Sequence, residues 1–299
     1  MYEIAGNNNI KIALTFDDAP SIDEKGSRFV SERMDEIRKV LTIHNIKDCT
    51  AFVVGKTAIG HEDKLARWVE SGYQLANHTF EHCQCSDLSI AKFRKSVLDC
   101  DAILQSVNAF SNSNEKWFRY PFLNRGLDRA QRADFKLILD VLGYKISYTS
   151  IGFHDHLYES VFESMLNSGS MSQINKVSKR YLNSVVKTIH FMNSLSRKHF
   201  KQDFKHIVYA HFGGVSTALL EQLLDELVLQ KIEWCSLTSA SKCCEYNKFQ
   251  ESNSANGGVL DLVHLESTYI RIKRKLSRIS VKMKLFEQNI YGPIWPHLL

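Results

Sequence analysis

Short apolar runs alternate with helical stripes from residue 10 to residue 237, and this rhythm constrains the fold more than any other feature of the 299-residue chain. The apolar runs predict strands at 10–16, 50–54, 73–76, 116–119, 145–149, 206–210 and 232–236. Between them, Val30, Met34, Ile37 and Leu41 recur at helical spacing. So do Leu65, Trp68 and Val69 before Gly72, and Phe135, Ile138, Leu139 and Leu142 before Gly143. Leu219, Leu220, Leu223, Leu224 and Leu227 form a further stripe. Strands alternating with helices predict an α/β fold with parallel strands and helical crossovers, and about seven such units predict a barrel.

Two segments fall outside the rhythm. Residues 157–200 carry a long helical pattern (Val177, Tyr181, Val185, Ile189, Met192) with no strand, which reads as an insertion, a candidate lid. Residues 246–258 are rich in Asn, Ser and Gly and read as a linker. Residues 259–299 follow as a basic amphipathic helix whose apolar residues, from Leu265 to Ile290, repeat in a 4,3 pattern. That seam suits packing on the barrel, a dimer coiled coil, or a membrane surface. The predicted domain is therefore 1–245, with linker and helix behind it.

The hydrophobic fraction of 44% and charged fraction of 24% fit a globular protein, and the net charge is +5. Residues 260–299 hold seven Lys/Arg against three Asp/Glu, so the remainder is near neutral and nothing suggests a nucleic-acid partner. The N-terminus lacks a basic start and an apolar core region, and no apolar run is long enough to span a bilayer. Seven cysteines without framework spacing read as reduced thiols. The expectation is a cytoplasmic protein, with possible attachment to a membrane surface.

The first strand runs straight into Asp17-Asp18. Adjacent carboxylates raise each other's pKa, so a positive charge is expected opposite them. His78-Thr79-Phe80-Glu81-His82 follows the strand at 73–76. On one barrel face, where strand C-termini converge, Asp18, His78 and His82 make a His₂-carboxylate set with positions left for water and substrate. Two other readings use the same residues: an inverted zinc-protease motif with Glu81 as base, and a structural zinc site with Cys83 and Cys85. Arg119, before Tyr120-Pro121-Phe122, is the expected counter-ion of Asp17. Asp155 and His211 also follow strands.

These stretches, Thr15-Phe16-Asp17-Asp18, His78 to His82, Arg119-Tyr120-Pro121-Phe122, Asp155 and Tyr209-Ala210-His211, resemble the polysaccharide deacetylase family, or NodB homology domain. The resemblance covers about residues 10–240. It implies an irregular (β/α) barrel and hydrolysis of the N-acetyl amide of an amino sugar in a polysaccharide, oligosaccharide or glycan precursor. It implies one divalent metal ion on Asp18, His78 and His82, zinc first, with cobalt, nickel or manganese also suited. Asp17 is then the general base, Arg119 its partner, His211 the acid, and Asp155 the group that tunes His211. The backbone N–H of Phe122 helps stabilise the oxyanion. The chain departs from the pattern at His156, where the family usually has Trp, and at Tyr209, where a Leu usually lines the acetyl pocket. The alternatives are hydrolysis of another linear or cyclic amide and a non-catalytic carbohydrate-binding barrel.

Overall fold

The computed structural model describes residues 9–21, 30–111, 115–251 and 257–260. The chain divides into two units, Met1–Val259 and Leu260–Leu299. The expected C-terminal helix lies outside the described residues except for its first two positions, and so do residues 252–256 of the expected linker.

In chain order the elements are β1 (Lys11–Ala19), α1 (Val30–Ile43), β2 (Cys49–Val53), α2 (Gly55–Ala58), α3 (Glu62–Glu70), β3 (Gln74–Asn77), α4 (Ile90–Ser106), β4 (Lys116–Phe118), α5 (Arg129–Val141), β5 (Tyr144–Ile146), β6 (Ile151–Gly152), α6 (His156–Ser168), α7 (Met171–Phe200), β7 (Lys205–His211), α8 (Gly214–Leu229), β8 (Glu233–Trp234), α9 (Leu237–Ser241) and α10 (Cys244–Glu251). Seven strands form one curled half-barrel in the order β5-β4-β3-β2-β1-β7-β6, and β8 pairs with the start of β1. Every pairing is parallel. All strand C-termini therefore open on one face.

The helices bury the stripes read from the sequence. Ile37 and Leu41 of α1, Leu65 and Trp68 of α3, Phe135 and Leu139 of α5 and Leu227 of α8 are fully buried. Each such side chain contributes about 1.5–3 kcal/mol of burial free energy.

The insertion is two helices rather than one stretch. Gly169 ends α6 in the left-handed conformation (φ 68), which a residue with a Cβ adopts only with strain. Val177, Tyr181, Val185 and Ile189 of α7 are buried, and α7 packs against α6, α8 and β6. The segment is thus part of the barrel wall, not a lid. The linker expectation also changes at its start, because residues 246–251 belong to α10. Tyr246 and Phe249 are buried, and Arg125 donates to the carbonyls of Phe249 (2.9 Å) and Gln250 (2.5 Å) at the end of that helix. A cation at a helix C-terminus satisfies carbonyls that have no partner within the helix.

Candidate active site

The strand alternation alone would send Asp17 and Asp18 to opposite faces. The β1–β2 ladder breaks there: Phe16 pairs with Ala51 but Ala19 with Val53, an extra residue on β1. Asp18 takes φ 61, in the left-handed region. A bulge of this kind re-aims a side chain, and both carboxylates meet site residues.

Asp17 lies beside Arg119, whose Nη1 donates to Asp17 Oδ1 at 2.5 Å. The guanidinium is fully buried. Nη1 also donates to Thr15 Oγ1 at 2.8 Å, Nη2 to Ser147 Oγ at 2.9 Å, and the plane stacks 3.9 Å from the centre of the Phe52 ring. Burial pulls the Arg119 pKa down, against the charge of Asp17 and its hydrogen bond. Four neighbours thus fix the orientation of the Asp17 partner.

Asp18 faces the two imidazoles. Its Oδ1 is 3.0 Å from His82 Nε2 and 3.5 Å from His78 Nε2, and atoms of the three residues lie within 4.8 Å of one another. Burial pushes the carboxyl up, but His78 and His82, with the charge of His211, hold it well below the usual carboxylate range. Although buried, Oδ1 has no hydrogen bond of good geometry. An orphaned carboxylate oxygen facing two ring nitrogens fits a divalent cation, since buried polar atoms are otherwise satisfied. His78 Nδ1 lies 2.8 Å from the carbonyl oxygen of Arg119 and donates to it. That bond leaves the Nε2 lone pair for an ion, the usual outer-shell arrangement of a metal-ligating histidine.

The loop between His78 and His82 is held from three sides. Asn77 Oδ1 accepts from Thr79 N (2.9 Å), and Ser96 Oγ accepts from Phe80 N (2.9 Å) and Glu81 N (3.2 Å). Amides of Gly55 and Lys56, at the start of α2, donate to the carbonyls of Thr79 and Phe80. Gly55 is required, because a Cβ there would lie 2.5 Å from the Phe80 ring. The protease reading fails here, since Glu81 is turned toward Lys56, 3.5 Å away. The structural zinc reading fails as well: Cys85 is buried in an apolar cluster with Phe93 and Phe118, and Cys83 is exposed.

His211 ends β7 opposite Asp17 on β1. Its Nδ1 donates to Asp155 Oδ1 at 2.7 Å and its backbone N–H to Asp155 Oδ2 at 2.6 Å. Ser216 Oγ (2.6 Å) and the N–H of His156 (3.1 Å) also donate to the same carboxylate. Asp155 is at once the N-cap of α6 and the partner of His211. Burial pulls the His211 pKa down, but the charge and hydrogen bond of Asp155, with Asp18 and Asp17 behind them, push it up to about 10. The atoms of Asp155, His156 and His211 also lie within 4.8 Å of one another, which the donors converging on Asp155 account for.

Phe122 follows Pro121 at φ 55 and ψ 18, and its ring lies 4.5 Å from that of His82. Tyr209 lies two residues before His211 on the same face of β7, its ring edge-on at 5.6 Å. It covers Gly152, where a Cβ would sit 2.8 Å from the Tyr209 ring. The nine residues read from the sequence are thus linked by direct contacts near the C-terminal ends of the strands. Ser147 and Ser216, which hold Arg119 and Asp155, carried no signal in the sequence, because each comes from an element distant in the chain, whereas Thr15 stands in the first motif, two residues before Asp17 on β1.

Residues 5–143 match the model of the polysaccharide deacetylase family. A peptidoglycan-N-acetylglucosamine deacetylase of Bacillus cereus is 25% identical over 134 residues, covering 44% of this chain and 44% of that protein. The chain thus spans less than half the length of that relative in the match. The solved peptidoglycan deacetylase PdaC from Bacillus subtilis shares the fold, with a TM-score of 0.54 at 17% identity over 82% of this chain and 97% of that one. So does a CE4 family pseudoenzyme from Bacillus anthracis, with a TM-score of 0.54 at 16% identity over 78% of this chain and 66% of that one. By sequence match over residues 5–143 and by fold over most of its length, the chain is similar to the polysaccharide deacetylase family.

Proposed function

We propose that the protein hydrolyses the N-acetyl amide of an amino sugar in a glycan or glycan precursor, releasing acetate and a free amine. The observation that carries this reading is the separation of Asp17, paired with Arg119, from Asp18, paired with two imidazoles. A fold that is shared with a pseudoenzyme does not carry activity by itself; mere binding has no use for this division.

Asp18, His78 and His82 would hold one divalent ion, and two nitrogens with one oxygen suit zinc first. Such an ion supplies Lewis acidity and lowers the pKa of water from 15.7 toward about 7. The chain's own residues do the remainder. Asp17 takes the proton of the attacking water, and Arg119 keeps its carboxylate aimed. The N–H of Phe122 faces the oxygen that gains charge, a donor of a kind worth about 3–4 kcal/mol in the transition state. His211, held through Nδ1, donates from Nε2 to the departing nitrogen, and Asp155 keeps that imidazole cationic beforehand.

Tyr209 fills space beside His211, which favours a small acyl group, formyl or acetyl, over propionyl. Faster turnover of an N-propionyl sugar than of its N-acetyl counterpart would count against that assignment. The reading as a whole is tested by acetate release from N-acetylglucosamine oligomers and nucleotide-linked N-acetylglucosamine with zinc or cobalt supplied. Binding of these sugars with no release from any of them would instead identify a non-catalytic barrel.

A further inference from the structure

The outer face of α7 plays no part in the site, and it carries charge of one sign. Between residues 164 and 202 the sequence holds seven Lys/Arg and no Asp/Glu. Solvated faces ordinarily intersperse both signs. Six of the seven, Lys176, Lys179, Arg180, Lys187, Arg197 and Lys198, lie on α7 and are all exposed. At 100° per residue they fall within an arc of about 100°. The buried stripe of Val177, Tyr181, Val185 and Ile189 occupies the opposite side of the same helix, so the basic row points straight away from the barrel. From Lys176 to Lys198 it runs about 33 Å.

We propose that this ridge docks the protein on an anionic phospholipid bilayer. A row of charges along one helix face meets a flat sheet of phosphates along its whole length. Phe191, 37% exposed, lies beside the row, and an exposed aromatic ring suits the headgroup boundary better than a soluble polyanion. Attraction of this kind amounts to roughly fivefold in affinity per basic residue near the surface and vanishes beyond a Debye length. The inference stands independently of the hydrolytic reading, because it uses none of the site residues.

The test is flotation of the full chain with vesicles of equal parts phosphatidylglycerol and phosphatidylcholine. Wild type should float with these, not with phosphatidylcholine alone, and should be released as salt rises toward about 1 M, where the Debye length is about 3 Å. K179E/K187E/K198E should bind at least about a hundredfold more weakly, and the milder K179Q/K187Q/K198Q should fall between. Thermal midpoints matching wild type show that the fold is kept. Wild-type flotation by both variants would place any membrane contact elsewhere on the chain and overturn the proposal. Binding of soluble polyphosphate without binding of vesicles would overturn it too.

Discussion

The carbonyl oxygen of Arg119 accepts a hydrogen bond from Nδ1 of His78 at 2.8 Å, while the guanidinium of the same residue holds Asp17. One residue therefore orients both the candidate base and a candidate metal ligand. Its backbone serves one and its side chain the other, so the two functions separate by substitution.

Arg119→Met leaves the backbone bond to His78 and removes the partner of a buried Asp17. Breaking one side of a buried pair costs about 3–5 kcal/mol. Urea unfolding should show a loss of that order, with turnover abolished and the ion still bound. Unchanged stability would mean that the burial of Asp17 does not depend on its Arg119 partner.

Asp155→Asn removes the charge that raises the His211 pKa. An imidazole donates only while protonated, so activity falls as pH rises through the pKa of His211. The alkaline limb of the kcat/KM profile should therefore move to lower pH in the variant. A bound divalent ion pulls the same pKa down in both proteins and leaves the direction of the difference unchanged. A limb at the same pH in both would remove His211 from the acid's role.

Gly55→Ala places a Cβ 2.5 Å from the Phe80 ring and 3.3 Å from the Cα of Cys100. Phe80 lies between the two histidines, so the loop must shift. Outer-shell disturbances of this sort weaken metal affinity about tenfold or more, and competition with a chromogenic chelator would measure it. An affinity equal to wild type would show that the loop moves without carrying its histidines.

His206, buried and away from the site, has its pKa pushed down to about 3 by desolvation. Its unfolded value is about 6.5. Between those values the unfolded chain binds more protons, so the contribution of His206 is fully present above about pH 6.5 and is lost as pH falls toward about 3. Chemical unfolding from neutral pH downward should show the gap between wild type and His206→Gln narrowing. A constant gap would mean that His206 does not titrate with unfolding.

The sequence carried the elements whose signal is local. The helical stripes and all seven predicted strands have counterparts at overlapping ranges, because one buried face imposes its period over many residues. Ile151-Gly152 is too short to show any period, so β6 had no signature. The Asn-rich run after residue 246 concealed α10, whose hold comes from Arg125, more than 120 residues earlier in the chain. The acidic pair announced itself as a like-charge conflict. The bulge that turns Asp18 beside Asp17 follows from register between strands far apart in sequence, and the hydroxyls of Ser147 and Ser216 come from the end of β5 and from α8, so no single residue encodes either.

Two adjacent carboxylates do different work, and metal content measured alongside acetate release in Asp17→Asn and Asp18→Asn separates them. Asp17→Asn should keep a stoichiometric divalent ion and lose nearly all turnover, while Asp18→Asn should lose the ion and the turnover together. Loss of the ion in Asp17→Asn, or wild-type turnover in either variant, would contradict that division of work.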